Sequence, residues 1–235
     1  LWIENSGDLR LRYHCWQELS VNLASFAQSL MSQGVYTCQQ FEYLDVIDCH
    51  GQVYGQLPYA IFRPLGLLSQ TVRINAYQVR NGLVYHHLAQ RSENKHVYPG
   101  FWDNLVAGKV QAGETSLQAL KRESWEEAGL IIDEKNTGFL NQYYQFRSLS
   151  VGVLREYLSI YVLAIPANFI PCNQDGEVVH FTQLSTAEII KLIISEKMMP
   201  DAALSWLIFV SKSNFIHSNE KVQHQLNRML PSAIF

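Results

Sequence analysis

The sequence predicts a layered fold of the α/β or α+β class, and three observations lead there. Strand-like runs alternate with helix-like stripes along the chain, hydrophobic residues make up 48% of it, and no repeat or low-complexity tract interrupts the order. At 235 residues, against about 100 to 200 per domain, there is room for one large domain or one domain with an appendage. Charged residues are 17%, below the roughly 25% usual for globular chains, which excludes a disordered acidic or polybasic chain. Eighteen basic residues face 21 acidic ones, a net charge of −3 with no basic stripe, so a nucleic-acid polymer is not an expected partner. The most apolar stretch, Ala203 to Val210, contains Ser205 and falls far short of the roughly 20 residues that span a bilayer, so no membrane is expected. No basic segment leads into an apolar one near the N-terminus, so no signal peptide is expected, and the expected location is cytoplasmic. Cys15, Cys38, Cys49 and Cys172 form no C-x-x-C pair and read as reduced, small buried residues.

Taken in order, residues 16 to 33 carry Leu19, Leu23, Phe26 and Leu30 at helical spacing, with Gly34 placed to cap the end. Tyr43 to Val46 and Val53 to Tyr54 read as a hairpin around Asp48 to Gly51. Pro64, Gly66, Gln70 and Thr71 break the pattern and set an expected boundary near residue 70. Residues 72 to 76 and 83 to 89 predict two strands joined at Asn81 and Gly82. A long loop is expected from Arg91 to about Gly113, then a helix from Ser116 to Ala128 ending at Gly129. Strands are expected at 157 to 165 and 178 to 184, and Ser185 with Glu188 forms a capping box opening another helix. Residues 200 to 210 read as a last apolar helix. The expected division is a 1–70 extension, a 71–212 domain and a 213–235 helical tail.

Residues 108 to 130, GKVQAGETSLQALKRESWEEAGL, concentrate the chemistry. On a helix Glu123 and Glu127 are i and i+4, and Glu123 and Glu126 i and i+3, so the three carboxylates share one side. Like charges so placed repel, and Arg122 alone cannot neutralise them; hard oxygen donors in this pattern suit Mg²⁺ or Mn²⁺ bound together with a substrate's phosphates. The other face offers Leu117, Leu120, Ser124 and Ala128 for docking, with the Ser124 hydroxyl expected to bond back to a carbonyl such as that of Leu120.

The spacing from Gly108 through Glu114, Arg122, Glu123, Glu126, Glu127 and Gly129 to Leu130 resembles the Nudix box, a match expected by chance on the order of once in a million chains. The resemblance implies an α/β/α sandwich with a mixed sheet, here with a small N-terminal α+β extension. It also implies Mg²⁺-dependent attack of water on a diphosphate linked to another moiety. In that family the glycine matching Gly108 offers its carbonyl to metal, and the acids matching Glu123, Glu126 and Glu127 are ligands. The acid matching Glu123 also helps activate water, and the pair matching Glu114 and Arg122 orients the helix by a salt bridge. Metal serves such a reaction by neutralising charge, polarising phosphorus and acidifying bound water. Many relatives take a further carboxylate from a later loop, for which Glu177 is the candidate.

A narrower likeness covers Arg91 to Gly108 (RSENKHVYPGFWDNLVAG) and Pro171 to Phe181 (PCNQDGEVVHF), which resemble the Nudix proteins related to thiamine pyrophosphokinase. It implies hydrolysis of thiamine diphosphate or its oxy and oxidised analogues to the monophosphate. Lys109 stands where that group doubles its glycine. In the loop Arg91 and Lys95 could meet diphosphate oxygens and Tyr98 or Trp102 could stack on a cationic ring, and with Asp103 and Asn104 these make up the expected substrate-binding residues. The same aromatics could instead pack the loop onto the sheet, and Tyr143, Tyr144 and Phe146 are read mainly as core. Adjacent His86 and His87 point to opposite faces of a strand and show no ligand spacing. Two rival readings are open: an isopentenyl-diphosphate isomerase-like enzyme, which needs a cysteine that the 50–171 interval lacks, and a non-catalytic binding module, which commonly loses box acids. The 1–70 extension could cover the site, shape the pocket or form the surface of a homodimer.

Overall fold

The computed structural model describes residues 2–3, 9–10, 14–34, 42–95, 97–150, 152–213 and 228. Cys38 and, apart from Ser213 and Arg228, the expected helical tail lie outside them. The chain forms two compact units, one of residues 1–70, 110–114 and 145–157, the other of 71–109, 115–144 and 158–235.

The first unit opens with two short antiparallel strands, β1 (Trp2–Ile3) and β2 (Leu9–Arg10), followed by helix α1 (Trp16–Ser32). The α1 stripe turns Leu19, Leu23 and Ala27 inward, onto Leu44, Leu57, Ile61 and Phe62. Strands β3 (Tyr43–Ile47) and β4 (Val53–Pro58) form the expected hairpin, whose turn is organised by the Asp48 carboxylate accepting the His50 and Gln52 N–H groups. The helix lies so close to β4 that a Cβ on Gly55 would meet Ser20 Oγ at 2.7 Å. A short helix α2 (Phe62–Leu65) ends at Gly66, which adopts the left-handed conformation.

The remaining elements follow in chain order: β5 (Leu68–Arg80), β6 (Leu83–Arg91), β7 (Trp102–Asn104), β8 (Val106–Lys109), α3 (Ser116–Ala128), β9 (Thr137–Leu149), β10 (Gly152–Ala164), β11 (Val178–Ser185), α4 (Thr186–Ile194) and α5 (Pro200–Lys212). Their seven strands order as β11-β6-β5-β10-β9, with β7 paired to β6 and β8 to β5. Asn81 and Gly82 both take positive φ in the β5–β6 turn, the backbone that two-residue hairpins require. Helices α4 and α5 supply Ile189, Trp206 and Phe209 to a core with Leu88 of β6, while Ile208 packs with Tyr143, Leu158 and Ile160. Helices layered on a sheet give the α/β class anticipated from the sequence. Among the described residues no helix is long and apolar enough to cross a membrane.

Several local expectations are corrected. The 91–113 loop holds two short strands, β7 and β8, paired antiparallel to β6 and β5. Strand β9 was not foreseen, because it buries Asn141 and Gln145 where a sequence pattern looks for apolar alternation. Strand β10 begins at Gly152 rather than Tyr157, and Gln70 and Thr71 lie inside β5. Cys15, Cys49 and Cys172 are exposed free thiols rather than buried ones. Tyr143 is core, but Tyr144 and Phe146 are exposed.

Candidate active site

Helix α3 starts where its sequence says it should. The Thr115 hydroxyl accepts the Gln118 N–H and the Gln118 side chain accepts the Thr115 N–H, a reciprocal cap, and Gly129 closes the other end in the left-handed conformation. Its buried stripe is Ala119, Leu120, Glu123, Ser124, Glu127 and Ala128, with Leu117 only partly covered. The acids and the apolar residues therefore share one side rather than opposing each other. Glu127 follows Leu120 by seven positions, which at about 100° per residue leaves them only about 20° apart around the axis.

Burial decides what these acids can do. Glu123 and Glu127 are 7% and 8% exposed, while Glu126 is half-buried. Glu127 Oε2 accepts the Ala107 N–H at 2.7 Å, tying the helix to β8. Burial first, and then the charge of Glu123, push the Glu127 carboxyl well above the usual carboxylate range; Asp103 and Glu177 add to the effect, and the Ala107 N–H opposes it. Glu123 lies against Gly108 so closely that a Cβ there would fall 1.8 Å from the carboxylate carbon. Only glycine permits that approach. Arg122 Nη1 sits between Glu123 Oε1 (2.7 Å) and Glu126 Oε2 (3.1 Å), and its Nη2 donates to the Lys109 carbonyl at 3.0 Å.

A small cleft beside Glu127 is lined by Arg91, Lys95, Asp103, Asn104, Glu177 and apolar Ala89 and Val178. Lys95 pairs with Glu177. The loop bearing Glu177 is fastened to the end of α3: the Cys172 N–H donates to the Ala128 carbonyl and the Gln174 N–H to the Glu126 carbonyl, at 3.0 and 2.8 Å. Behind the cleft lies a buried polar network. Arg73 Nη1 donates to Asp103 Oδ1 and to Asn104 Oδ1, Arg91 Nη1 donates to Asp103 Oδ2 at 3.2 Å, and the Asn104 amide donates to Asn75, whose own amide donates to Ser205.

Of the residues singled out in the sequence, the structure brings Arg91, Lys95, Asp103, Asn104, Glu127 and Glu177 to one cleft and sets Glu123 and Gly108 together beside Glu127. Tyr98 stacks at a tilt on Phe101, and Trp102 lies edge-on to His180 while packing on the core of α4 and α5. Glu114 belongs to the first unit, where its carboxylate accepts the Gln111 N–H. The Ser124 hydroxyl is fully buried without a hydrogen-bond partner, contrary to the expected bond to a carbonyl. The network partners Arg73 and Asn75 were missed by sequence reasoning. A charged and an amide residue alternating through an otherwise apolar strand, at the i and i+2 positions of one face, is the signal that could have found them.

The donor set fits a hard divalent cation. Every candidate ligand, Glu123, Glu126, Glu127 and the Gly108 carbonyl, presents oxygen, and the notch at Gly108 brings a carboxylate against the backbone. Among the described residues no group of three or more His, Cys, Asp or Glu side chains is gathered to hold a metal ion, with Arg122 standing between two of the acids.

The site thus defines a class: an α/β protein whose sheet-docked helix buries a row of carboxylates against a glycine strand. Residues 74–202, more than half of the chain, match the NUDIX domain family, and the chain belongs to it. It is 30% identical over 148 residues to Nudix hydrolase 24, chloroplastic, of Arabidopsis thaliana, covering 58% of this chain and 38% of that protein. It is likewise 30% identical over 152 residues to Nudix hydrolase 20, chloroplastic, of the same plant, covering 60% and 38%. An uncharacterized protein of Saccharomyces cerevisiae is 26% identical over 198 residues, covering 76% of this chain and 58% of that one. The chain therefore spans less than two thirds of the length of these relatives. In fold it resembles the crystal structure of DR0079 from Deinococcus radiodurans, with a TM-score of 0.52 at 22% identity, covering 73% of this chain and all of that one.

Proposed function

We propose that the protein is a divalent-cation-dependent pyrophosphohydrolase that cleaves a diphosphate joined to an organic moiety. The observation that carries this reading is the burial of two neighbouring carboxylates, Glu123 and Glu127, against Gly108 and the Ala107 N–H, a costly arrangement for which one backbone hydrogen bond is a small return. Glu123, Glu126, Glu127 and the Gly108 carbonyl would hold Mg²⁺ or Mn²⁺, which supplies charge neutralisation and Lewis-acid polarisation to a diphosphate. Glu123 is the group assigned to accept a proton from attacking water. Arg122 keeps Glu123 and Glu126 apart, and Glu114 is assigned with it to orienting the helix. Arg91 and Lys95 meet phosphate oxygens, Glu177 adds a carboxylate from its loop, and Tyr98 and Trp102 border the organic group.

Thiamine diphosphate or an oxy or oxidised analogue is the substrate proposed, supported by the likeness of residues 91–108 and 171–181. Residues 71–212 form the catalytic domain in this reading, with 1–70 as an extension to it. Release of phosphorylated products, followed by phosphorus NMR because nucleotide sugars and dinucleotides yield two phosphomonoesters and no free phosphate, should be measured over a panel with Mg²⁺: thiamine diphosphate, its oxy form, nucleotide sugars, dinucleotides and nucleoside triphosphates. Turnover of the thiamine compounds alone is expected; release from other diphosphates only would refute the substrate, and release from none the activity.

A further inference from the structure

The cleft contains a difficulty that its lining residues solve. Arg91 shares a small space with Glu127 and Glu177, and a flexible guanidinium there would fold onto those carboxylates, neutralising the groups the reaction needs and sealing the entrance. Arg91 is held elsewhere. Its Nη1 donates to Asp103 Oδ2 at 3.2 Å, while Nε and Nη2 both donate to the Val97 carbonyl, at 3.3 and 3.0 Å. Asp103 is itself fixed: it is 5% exposed, and its Oδ1 accepts from Arg73 and from the Asn104 N–H at 2.8 Å. Arg73 is 4% exposed and reaches Asp201 at the start of α5 at 3.9 Å. Arg73 and Arg91 thus engage different oxygens of the one Asp103 carboxylate, Arg73 from the side of Asp201 and Arg91 from the side of the cleft. Lys95, by contrast, is paired with Glu177.

From this geometry we infer that Asp103 is a positioning residue rather than a substrate contact: braced by Arg73, it holds Arg91 off Glu127 and Glu177 and aims the guanidinium's remaining N–H groups at an incoming diphosphate. The inference rests on the proposed function only in taking a diphosphate as the ligand of this cleft. Bidentate recognition of phosphate by an arginine depends on orientation, so losing the brace weakens binding even though removing the Asp103 charge makes the cleft more positive. A purely electrostatic view gives the opposite sign.

The test is a mutant cycle of Asp103→Asn and Arg91→Gln on the full chain. Calorimetry follows binding of methylenediphosphonate, a non-hydrolysable diphosphate, with Mg²⁺ at about 0.3 M salt, where charges beyond roughly 6 Å are screened. Arg91→Gln should weaken binding about tenfold or more, and Asp103→Asn about fivefold. The double variant should bind no more weakly than Arg91→Gln alone, because Asp103 acts only through Arg91. Binding by Asp103→Asn at wild-type strength or tighter overturns the inference, as does an equal loss from Asp103→Asn in both backgrounds. Undiminished binding by Arg91→Gln overturns instead the placement of diphosphate in this cleft, and the inference with it. Should Asp103→Asn fail to fold because it takes a carboxylate from the buried Arg73, Arg73→Gln/Asp103→Asn removes both buried charges, and the same loss of affinity is expected.

Discussion

Helices α1 and α3 bury stripes with the same spacing and opposite character. In α1 the inward positions are Leu19, Leu23 and Ala27; in α3 the matching i, i+4 and i+8 positions are Ala119, Glu123 and Glu127. The first stripe removes apolar surface from water and stabilises its unit. The second takes two carboxylates out of water beside each other, which opposes folding and pushes Glu127 toward its neutral form. Identical periodicity thus serves packing in one helix and, under the proposed function, chemistry in the other, and substitutions should separate the two.

The largest effect belongs to α3. Glu127→Gln keeps volume and an acceptor for the Ala107 N–H while removing charge, so kcat should fall by several powers of ten as Tm rises or holds. Turnover and thermal melting of one preparation check both, and near wild-type activity would contradict the role given to Glu127. In α1 the expectation inverts. Leu23→Ala should cost about 2 to 4 kcal/mol in denaturant unfolding and leave kcat of the folded fraction unchanged.

Strand β6 offers a second case of buried titratable groups. Burial, and then His87, lower His86 to about 4, and burial, and then Arg80, lower His87 to about 4. His86 Nδ1 and His87 Nε2 lack partners, as suits neutral rings. The unfolded chain takes up these protons below about 6.5 and the folded one only near 4, so stability rises with pH through that window and is lost on acidification. Between pH 7 and 5 each ring should remove up to about 2 kcal/mol. Comparing denaturation midpoints of wild type and His86→Phe at both values checks this; equal pH slopes would count against it. The smallest effect returns to α3. Ser124→Ala removes a buried hydroxyl without a partner and should stabilise the fold by about 1 kcal/mol, read as a rise in the denaturant midpoint.

What the sequence made legible tracks how local the information was. The bounds of α3, its Gly129 cap and the Asn81–Gly82 turn follow from neighbours a few residues apart, and the structure bears them out. The pairing of β7 and β8 rests on partners outside their own short segments, so local pattern alone reads both as loop. The acid row was visible as spacing, but its sharing a side with Leu120 needed the helix angle to be followed through two turns. Arg73 escaped notice because its partner Asp103 lies thirty positions away and no short pattern joins them.

The fastening of the Cys172–Gln174 segment onto the last carbonyls of α3 makes two stretches of chain, remote in order, mechanically one piece. Whatever swings Glu177 must drag the tip of the acidic helix with it. Changes in length between Pro166 and Val178 would therefore register at Glu126 and Glu127, although none of the altered residues need approach the chemistry.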